Sequence, residues 1–451
     1  MRERLQKALL DKDFSELLKK GGVSFFLRIG GQVVGFLLTL LIAQYFGAEG
    51  LGEYMLAVVV LRIFTLIAKL GMDTASIRFI ASFAKQKKWK SLLFFLKKVY
   101  PILVFSSLFF SFIMYSLSDS IADFLKIHSA YIRVFSFFIL PMVFFALHYQ
   151  SLRGLKKIAA FSFFYRMSQA MFAIIIILIL LQFSEAPSIP FYAYIISLLF
   201  VSILSFISFW HVLKEKINNY EEEIVEYQTL KSILVIALPL MLAQSVQLIM
   251  TWTDKIMIGN MMSATDVGIY GVAFKLSMFA SITLMAINSI AAPKFAEMYE
   301  EKNMEGLKKV AQKSTKIIFW STLPLVIIFF LFPTFFLGIF GGEFKIGVNA
   351  FIILSVGMLI SAFSGSVGNL LQMTGKQFVF MKILIVGAII NIGLNYLLIP
   401  TNNPFSEFGI SGINGAAVAS MCSIIFWNLS MVFVVKKQFG FLTLYIPFIK
   451  R

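Results

Sequence analysis

Long apolar runs alternate along this chain with short charged connections, and the run length is that of a bilayer. A helix needs about 20 apolar residues to cross roughly 30 Å of hydrocarbon. Such runs can be laid at 22–46, 54–73, 91–117, 133–151, 159–182, 189–211, 233–253, 268–292, 317–333, 347–372, 378–399 and 411–435. Twelve transmembrane helices are therefore predicted. The most polar connection, "HVLKEKINNYEEEIVEYQTLK" at 211–231, has six runs before it and six after. The pattern predicts an all-α polytopic membrane protein with an N-lobe over 22–212, a cytoplasmic linker over 213–230 and a C-lobe over 231–436. Tails at 1–21 and 437–451 flank the lobes. In the first tail Leu10, Phe14, Leu17 and Leu18 share one helical face. It reads as an interfacial amphipathic helix rather than a signal peptide.

Charge gives the orientation. With the N-terminus inside, the inner segments and their flanks hold 31 Lys and Arg, whereas the outer ones hold Lys126, Arg133, Lys255 and Lys345. This is a strong positive-inside signal, and it puts both termini in the cytoplasm. The net charge of +17 thus orients the protein and is no argument for nucleic acid. Composition agrees: 59% of residues are hydrophobic, 14% are charged and the mean hydropathy is +0.86. A soluble domain would be about one quarter charged. The single cysteine, Cys422, excludes a disulfide framework, and three scattered histidines show no metal-ligand spacing.

The two lobes carry traces of a repeat. A shift of 216 residues lays Gly52-Glu53-Tyr54 on Gly268-Ile269-Tyr270 and Arg78-Phe79 on Lys294-Phe295. Two six-span halves in parallel orientation are the arrangement in which a transporter's substrate site lies near mid-membrane.

Polar positions inside the spans draw the candidate site. Span 1 carries Ser24, Arg28 and Gln32 at four-residue steps, one helical face. Arg62 sits near the middle of span 2, where a charge costs at least about 2.5–3.5 kcal/mol unless it faces a wet interior. Lys69 and Asp73, an i,i+4 pair, read as structural. Gln244, Gln247, Thr251 and Asp254 form a polar line along span 7, and span 8 carries Lys275. Arg166 in span 5 reads as an interfacial anchor, and Asn391 and Asn395 on span 11 read equally as interhelical glue or cavity lining. The deep groups are mainly cations, so such a cavity suits an anion, for which arginine offers a planar two-pronged donor. No P-loop, dinucleotide fingerprint, zinc-protease motif or nucleophile triad competes, and the expected outcome is a protein that is not an enzyme.

"YFGAEGLGEYMLA" (45–57) and "TDKIMIGNMMSATDVGIYGVAFKL" (253–276) resemble the first outer loop and the start of the second half in the multidrug/oligosaccharidyl-lipid/polysaccharide exporter superfamily, in particular its polysaccharide branch. The resemblance implies a V-shaped pair of six-helix lobes in the cytoplasmic (inner) membrane, working by alternating access. The implied substrate is a polyprenyl-pyrophosphate-linked oligosaccharide, an O-antigen, capsule or similar repeat unit, flipped from the inner to the outer leaflet. Polysaccharide polymerases and glycosyltransferases are the implied protein partners. Lipid II flippases of the superfamily use cations on spans 1, 2 and 8, where this chain has Arg28, Arg62 and Lys275. These would hold the pyrophosphate. Gln32, Gln244 and Gln247 would meet sugar hydroxyls, and Asp254 would meet a cation or sugar, or sense a coupling ion, proton or sodium. The alternative is an ion-coupled multidrug or small-molecule exporter of the same superfamily.

Overall fold

The computed structural model of the protein describes residues 12–217 and 228–445; the side chains of 12–25 and of 243, 244, 246, 247, 250 and 251 lie outside the described set. Much of the predicted linker and the outer parts of both predicted tails fall beyond these residues. Among the described residues every regular element is helical. Nine helices are long and apolar enough to cross a membrane, or ten if the bent pair Ser129–Ser136 and Ile139–Gly154 counts as one span.

The long elements are α1 (Lys12–Ala68), α2 (Met72–Gln86), α3 (Trp89–Ser116), α4 (Ile139–Gly154), α5 (Ile158–Phe163), a π-helical turn (Phe164–Ser168), α6 (Gln169–Leu180) and α7 (Ile189–Ile217). After the linker come α8 (Leu230–Met261), α9 (Ala264–Ser277), α10 (Ile282–Glu300), α11 (Met304–Leu331), α12 (Val348–Ser364), α13 (Gln377–Leu398) and α14 (Gly412–Phe439). Where two spans are predicted at 22–46 and 54–73, α1 is two helices joined end to end at a kink. Its apolar stretch of 43 residues is roughly twice the length that spans a bilayer. The break is at Gly47, whose φ of 67° and ψ of −172° are a left-handed conformation that favours glycine. The next amide, Ala48 N–H, is orphaned by that break and donates to Glu343 Oε1 at 2.7 Å.

Many large apolar side chains point outward, as a lipid-facing surface requires, while others such as Phe95, Phe295 and Phe351 are buried in the core. Phe105, Phe112 and Phe433 are 75%, 69% and 65% exposed. Several buried hydroxyls are satisfied within their own helices: Thr65 donates to Leu61 O at 2.7 Å, Ser151 to Leu147 O at 2.6 Å and Ser355 to Phe351 O at 2.7 Å.

The fold resolves into two compact units. The first comprises the chain through Leu41, Ala57–Asp123 and His128–Ser245. In it α2 packs on α4, and the Phe79 and Phe95 rings meet at 4.9 Å. The second comprises Ile42–Leu56, Phe124–Ile127 and the chain from Val246 onward. Its core is built on α14 packed against α12 and α13. Here the repeat acquires a physical meaning. A Cβ added at Gly52 would lie 1.7 Å from Ala264 O, and one at Gly268 would lie 2.0 Å from Ala48 O. These are two small-xxx-small rows, Ala48/Gly52 and Ala264/Gly268, related by the same shift of 216. They cross so that each glycine faces the other row's alanine carbonyl.

Candidate functional site

Each unit holds one cluster of charged and polar groups inside its spans. In the first unit the cluster gathers around Tyr149 and Tyr165. Tyr149, on α4, lies within electrostatic range of Asp73, Tyr165, Arg62 and Arg166. Arg28, on α1, lies within range of Arg166, Tyr165 and Arg153. The spans that carry these groups approach closely because glycine permits it. A Cβ at Gly31 would sit 2.7 Å from Arg166 O, so α1 presses directly on the π turn. Arg28 is half-buried, while Arg62, Arg153 and Arg166 are exposed. Lys69, in the turn between α1 and α2, and Asp73, in the first turn of α2, form the expected pair, with Nζ to Oδ2 at 2.7 Å. Two guanidiniums stack on aromatic faces: Arg166 is 4.7 Å from the Tyr165 ring and Arg153 is 5.2 Å from the Phe161 ring. A stacked guanidinium keeps its in-plane N–H donors available for an anion.

In the second unit the cluster is built on Asp254 of α8, which is 3% exposed. Its Oδ2 accepts from Tyr270 Oη of α9 at 2.6 Å and from Ser420 Oγ of α14. Its Oδ1 accepts from Asn391 Nδ2 at 3.1 Å and Asn395 Nδ2 at 2.7 Å, both of α13. The i,i+4 spacing on α13 puts the two amides on one face, which is why both reach the same oxygen. Four hydrogen bonds approach the accepting capacity of an ionised carboxylate, and bonds of this charge-assisted kind offset the cost of removing it from water. Asn395 Oδ1 is buried with no hydrogen-bond partner.

Arg28 and Arg62 are thus brought into one neighbourhood of the first unit, with Gln32 one turn beyond Arg28 on α1. Lys275 belongs to the second unit, half-buried in the last turn of α9 just before the 3₁₀ turn Met278–Ser281. There a cation complements the helix's negative end. The side chains of Gln244 and Gln247 lie outside the described residues. The polar line that contains them ends in Asp254, which the fold buries among side chains of three other helices. Sequence reasoning left Asn391 and Asn395 undecided and did not single out Tyr270 or Ser420. Within the 253–276 segment, Tyr270 was legible as a residue of the resemblance. Ser420 carried no signal beyond its place four residues after Ala416 and eight after Gly412, a row of small residues. Arg166, read as a rim anchor, is exposed and has its backbone pressed against α1. Gln169, beside it, has a structural role, with Nε2 donating to Ser197 Oγ at 2.8 Å and Tyr194 O at 3.1 Å.

An all-helical chain with these spans has the fold of a multi-pass membrane transporter. It superposes on a multidrug resistance transporter of the MATE family in its inward-facing conformation, with TM-score 0.70, 18% identity and coverage of 91% of this chain and 94% of that one. It also superposes on the lipid II flippase MurJ in an inward closed conformation, with TM-score 0.69, 17% identity and coverage of 94% and 89%. Residues 17–299, more than half of the chain, match the family described as polysaccharide biosynthesis protein, and the chain belongs to that family. Residues 239–397 also match the MatE family. Among relatives, the chain is 24% identical over 174 residues to a probable low-salt glycan biosynthesis flippase, Agl15, of Haloferax volcanii, covering 38% of this chain and 35% of that protein. It is 23% identical over 183 residues to the capsular polysaccharide biosynthesis protein CapF of Staphylococcus aureus, covering 40% and 46%. The matches therefore span less than half the length of these relatives.

Proposed function

We propose that this protein flips a polyprenyl-pyrophosphate-linked oligosaccharide from the inner to the outer leaflet of the cytoplasmic membrane by alternating access. In this reading twelve helices cross the bilayer and both termini are cytoplasmic. The carrying observation is the arginine neighbourhood of the first unit, where Arg28 lies within electrostatic range of Tyr165 and Arg62 within range of Tyr149, two tyrosines whose rings meet at 5.3 Å. Membership of the polysaccharide biosynthesis family supports a glycan carrier's phosphates as the anion. Arg28, Arg62 and Lys275 carry the pyrophosphate, because fixed guanidiniums bind phosphate oxygens two at a time and a preorganised positive field does not have to be assembled when substrate arrives. Gln32, Gln244 and Gln247 meet sugar hydroxyls.

Asp254 serves as the coupling site. Its surroundings fit a proton or a hard monovalent cation such as sodium, because the groups around it can all present oxygen: the carboxylate, the Ser420 hydroxyl and the carbonyl ends of Asn391 and Asn395. The unpartnered Asn395 Oδ1 is the observation that favours a cation, since half a turn of that amide would bring its oxygen toward Asp254. An ion-coupled exporter of small molecules is the second reading, favoured by the MatE match over 239–397.

The deciding experiment is complementation of a bacterium that lacks its own O-antigen flippase, comparing wild type, Arg62→Ala and Arg62→Lys at equal membrane levels. Restored surface polymer in the wild type and its loss in Arg62→Ala is the expected result. Partial activity in Arg62→Lys would show that charge matters beyond guanidinium geometry. Equal activity of wild type and Arg62→Ala would refute the anionic-substrate contact.

A further inference from the structure

The π-helical turn at Phe164–Ser168 interrupts what would otherwise be a continuous span from α5 into α6. Such a turn fits an extra residue into the helix and rotates the side chains that follow; turns of this kind recur at functional sites. The residue it carries at its centre is Arg166. Its backbone carbonyl and Cβ are pressed against Gly31, where an added Cβ would come within 2.7 Å of Arg166 O and 2.9 Å of Arg166 Cβ. Gly31 lies three residues beyond Arg28 on the same helix, so the contact couples the two arginines' positions.

An aromatic ledge holds the guanidiniums. The Tyr165 and Phe161 rings stack at 5.4 Å with 11° between their planes, and Tyr149 meets Tyr165 at 5.3 Å. Arg166 lies over Tyr165 and Arg153 over Phe161. Both arginines lie within electrostatic range of Arg28, and Arg166 shares the Tyr149 neighbourhood with Arg62. Asp73, the carboxylate felt at Tyr149, accepts from Lys69 through Oδ2, and its Oδ1 is buried with no hydrogen-bond partner. Arg166 and Arg153 on the ledge and Arg28 beside them raise one another's electrostatic cost, and a multiply charged anion is a ligand that relieves it.

We infer that Arg166 and Arg153 are further contacts to the substrate's diphosphate, forming with Arg28 and Arg62 a four-guanidinium site contained within the first unit. This rests on the flippase reading given above. The aromatic faces fix the planes of two of the four forks, so their N–H edges are oriented before the lipid arrives. Gly31 is a positioning residue, since any side chain there would displace the π turn.

The test is binding of undecaprenyl pyrophosphate and of undecaprenyl monophosphate to the purified full-length protein in detergent, measured for wild type, Arg166→Gln, Arg166→Lys, Arg153→Gln and Arg62→Gln. Lys309→Gln, in a surface pair with Glu305, is the control. Loss of one charged contact should weaken pyrophosphate binding about tenfold to a hundredfold. The monophosphate should weaken less, and Arg166→Lys should recover part of the loss. A change in the ratio of the two affinities is a readout that general destabilisation does not move. If Arg62→Gln weakens binding while Arg166→Gln and Arg153→Gln bind both lipids as wild type does, the inference is overturned and the flippase reading stands. If Arg166→Gln weakens both lipids by one factor and Arg166→Lys recovers nothing, Arg166 only shapes the fold and the inference is likewise overturned. If the wild type binds neither lipid, the flippase reading falls and takes the inference with it; if Arg62→Gln has no effect, Arg62 is no contact and the four-guanidinium site is overturned while the flippase reading stands.

Discussion

Asp254 offers the sharpest test of how the second unit holds its charge. Replacing it with alanine removes both acceptor oxygens at once and leaves four donors facing a gap: Tyr270, Ser420, Asn391 and Asn395. The first two can turn to one another at 3.3 Å and the last two at 3.2 Å, so about two of the four donors stay unpaired. At about 1–3 kcal/mol for each buried unpaired group, the loss is about 2–6 kcal/mol. Typical folded proteins hold only about 5–15 kcal/mol in total. Asparagine is the informative contrast. Its Oδ1 still accepts from both α13 amides, and its Nδ2 can donate to the Tyr270 and Ser420 hydroxyls, which can also act as acceptors. Asp254→Asn should therefore cost less than about 1.5 kcal/mol, within the range of one ordinary hydrogen bond. The assay is thermal unfolding of both variants in detergent, followed by intrinsic fluorescence and size-exclusion recovery, together with surface polymer in cells at matched membrane levels. The expected pattern is a large drop in the midpoint for alanine, a small one for asparagine and loss of transport in both. An alanine variant as stable as wild type would refute the network. An asparagine variant that transports at the wild-type rate would refute the coupling role, because only the charge has changed.

The crossing of the two repeat-related rows predicts that Gly52→Val and Gly268→Ala abolish monodisperse protein, because the added Cβ meets backbone oxygen in each case. Gly393→Ala, in a helix where an added Cβ meets nothing within 4 Å, should be neutral or raise the unfolding midpoint slightly. Glu343→Gln should fold and lower the midpoint by less than one hydrogen bond's worth, since Ala48 N–H keeps an acceptor that loses only its charge. Asp119 is held below the usual carboxylate range by its hydrogen bonds to Arg133 and to Ser129. A depressed pKa adds stability above the unfolded value that is lost as pH falls through the folded one, so any effect should appear below about pH 4. The pair is exposed to solvent, and Asp119→Asn should leave the midpoint at pH 7 unchanged within error; a clear drop would show that this outer pair is a structural clasp.

The repeat is where sequence and fold meet most directly. Identical residue types recur at a spacing of 216 because two related rows must approach backbone to backbone, and only small side chains allow that. Motif residues such as Gly52, Gly268 and Tyr270 thus have structural work that a resemblance names without explaining. Asp254 and Tyr270 share one hydrogen bond within the segment 253–276, so the pair is local in sequence and could be anticipated from it.

Run length and loop charge alone determined the membrane-spanning, all-helical class, because hydrocarbon demands internally bonded backbone and tolerates few charges whatever the tertiary arrangement. They also marked Arg28, Arg62, Lys275 and Asp254 as costly residues that needed a reason. Other features depended on tertiary structure. Periodicity placed Arg166 near a helix end, and only the fold put it on a π turn with Gly31 against its backbone. Asn391 and Asn395 acquired a role when α13 packed beside α8 and turned both amides to one carboxylate. Hydrophobic pattern records which side chains leave water, a property of each segment by itself. Which polar groups meet inside is set by glycine-permitted approaches among segments far apart in the chain, and no local periodicity encodes those.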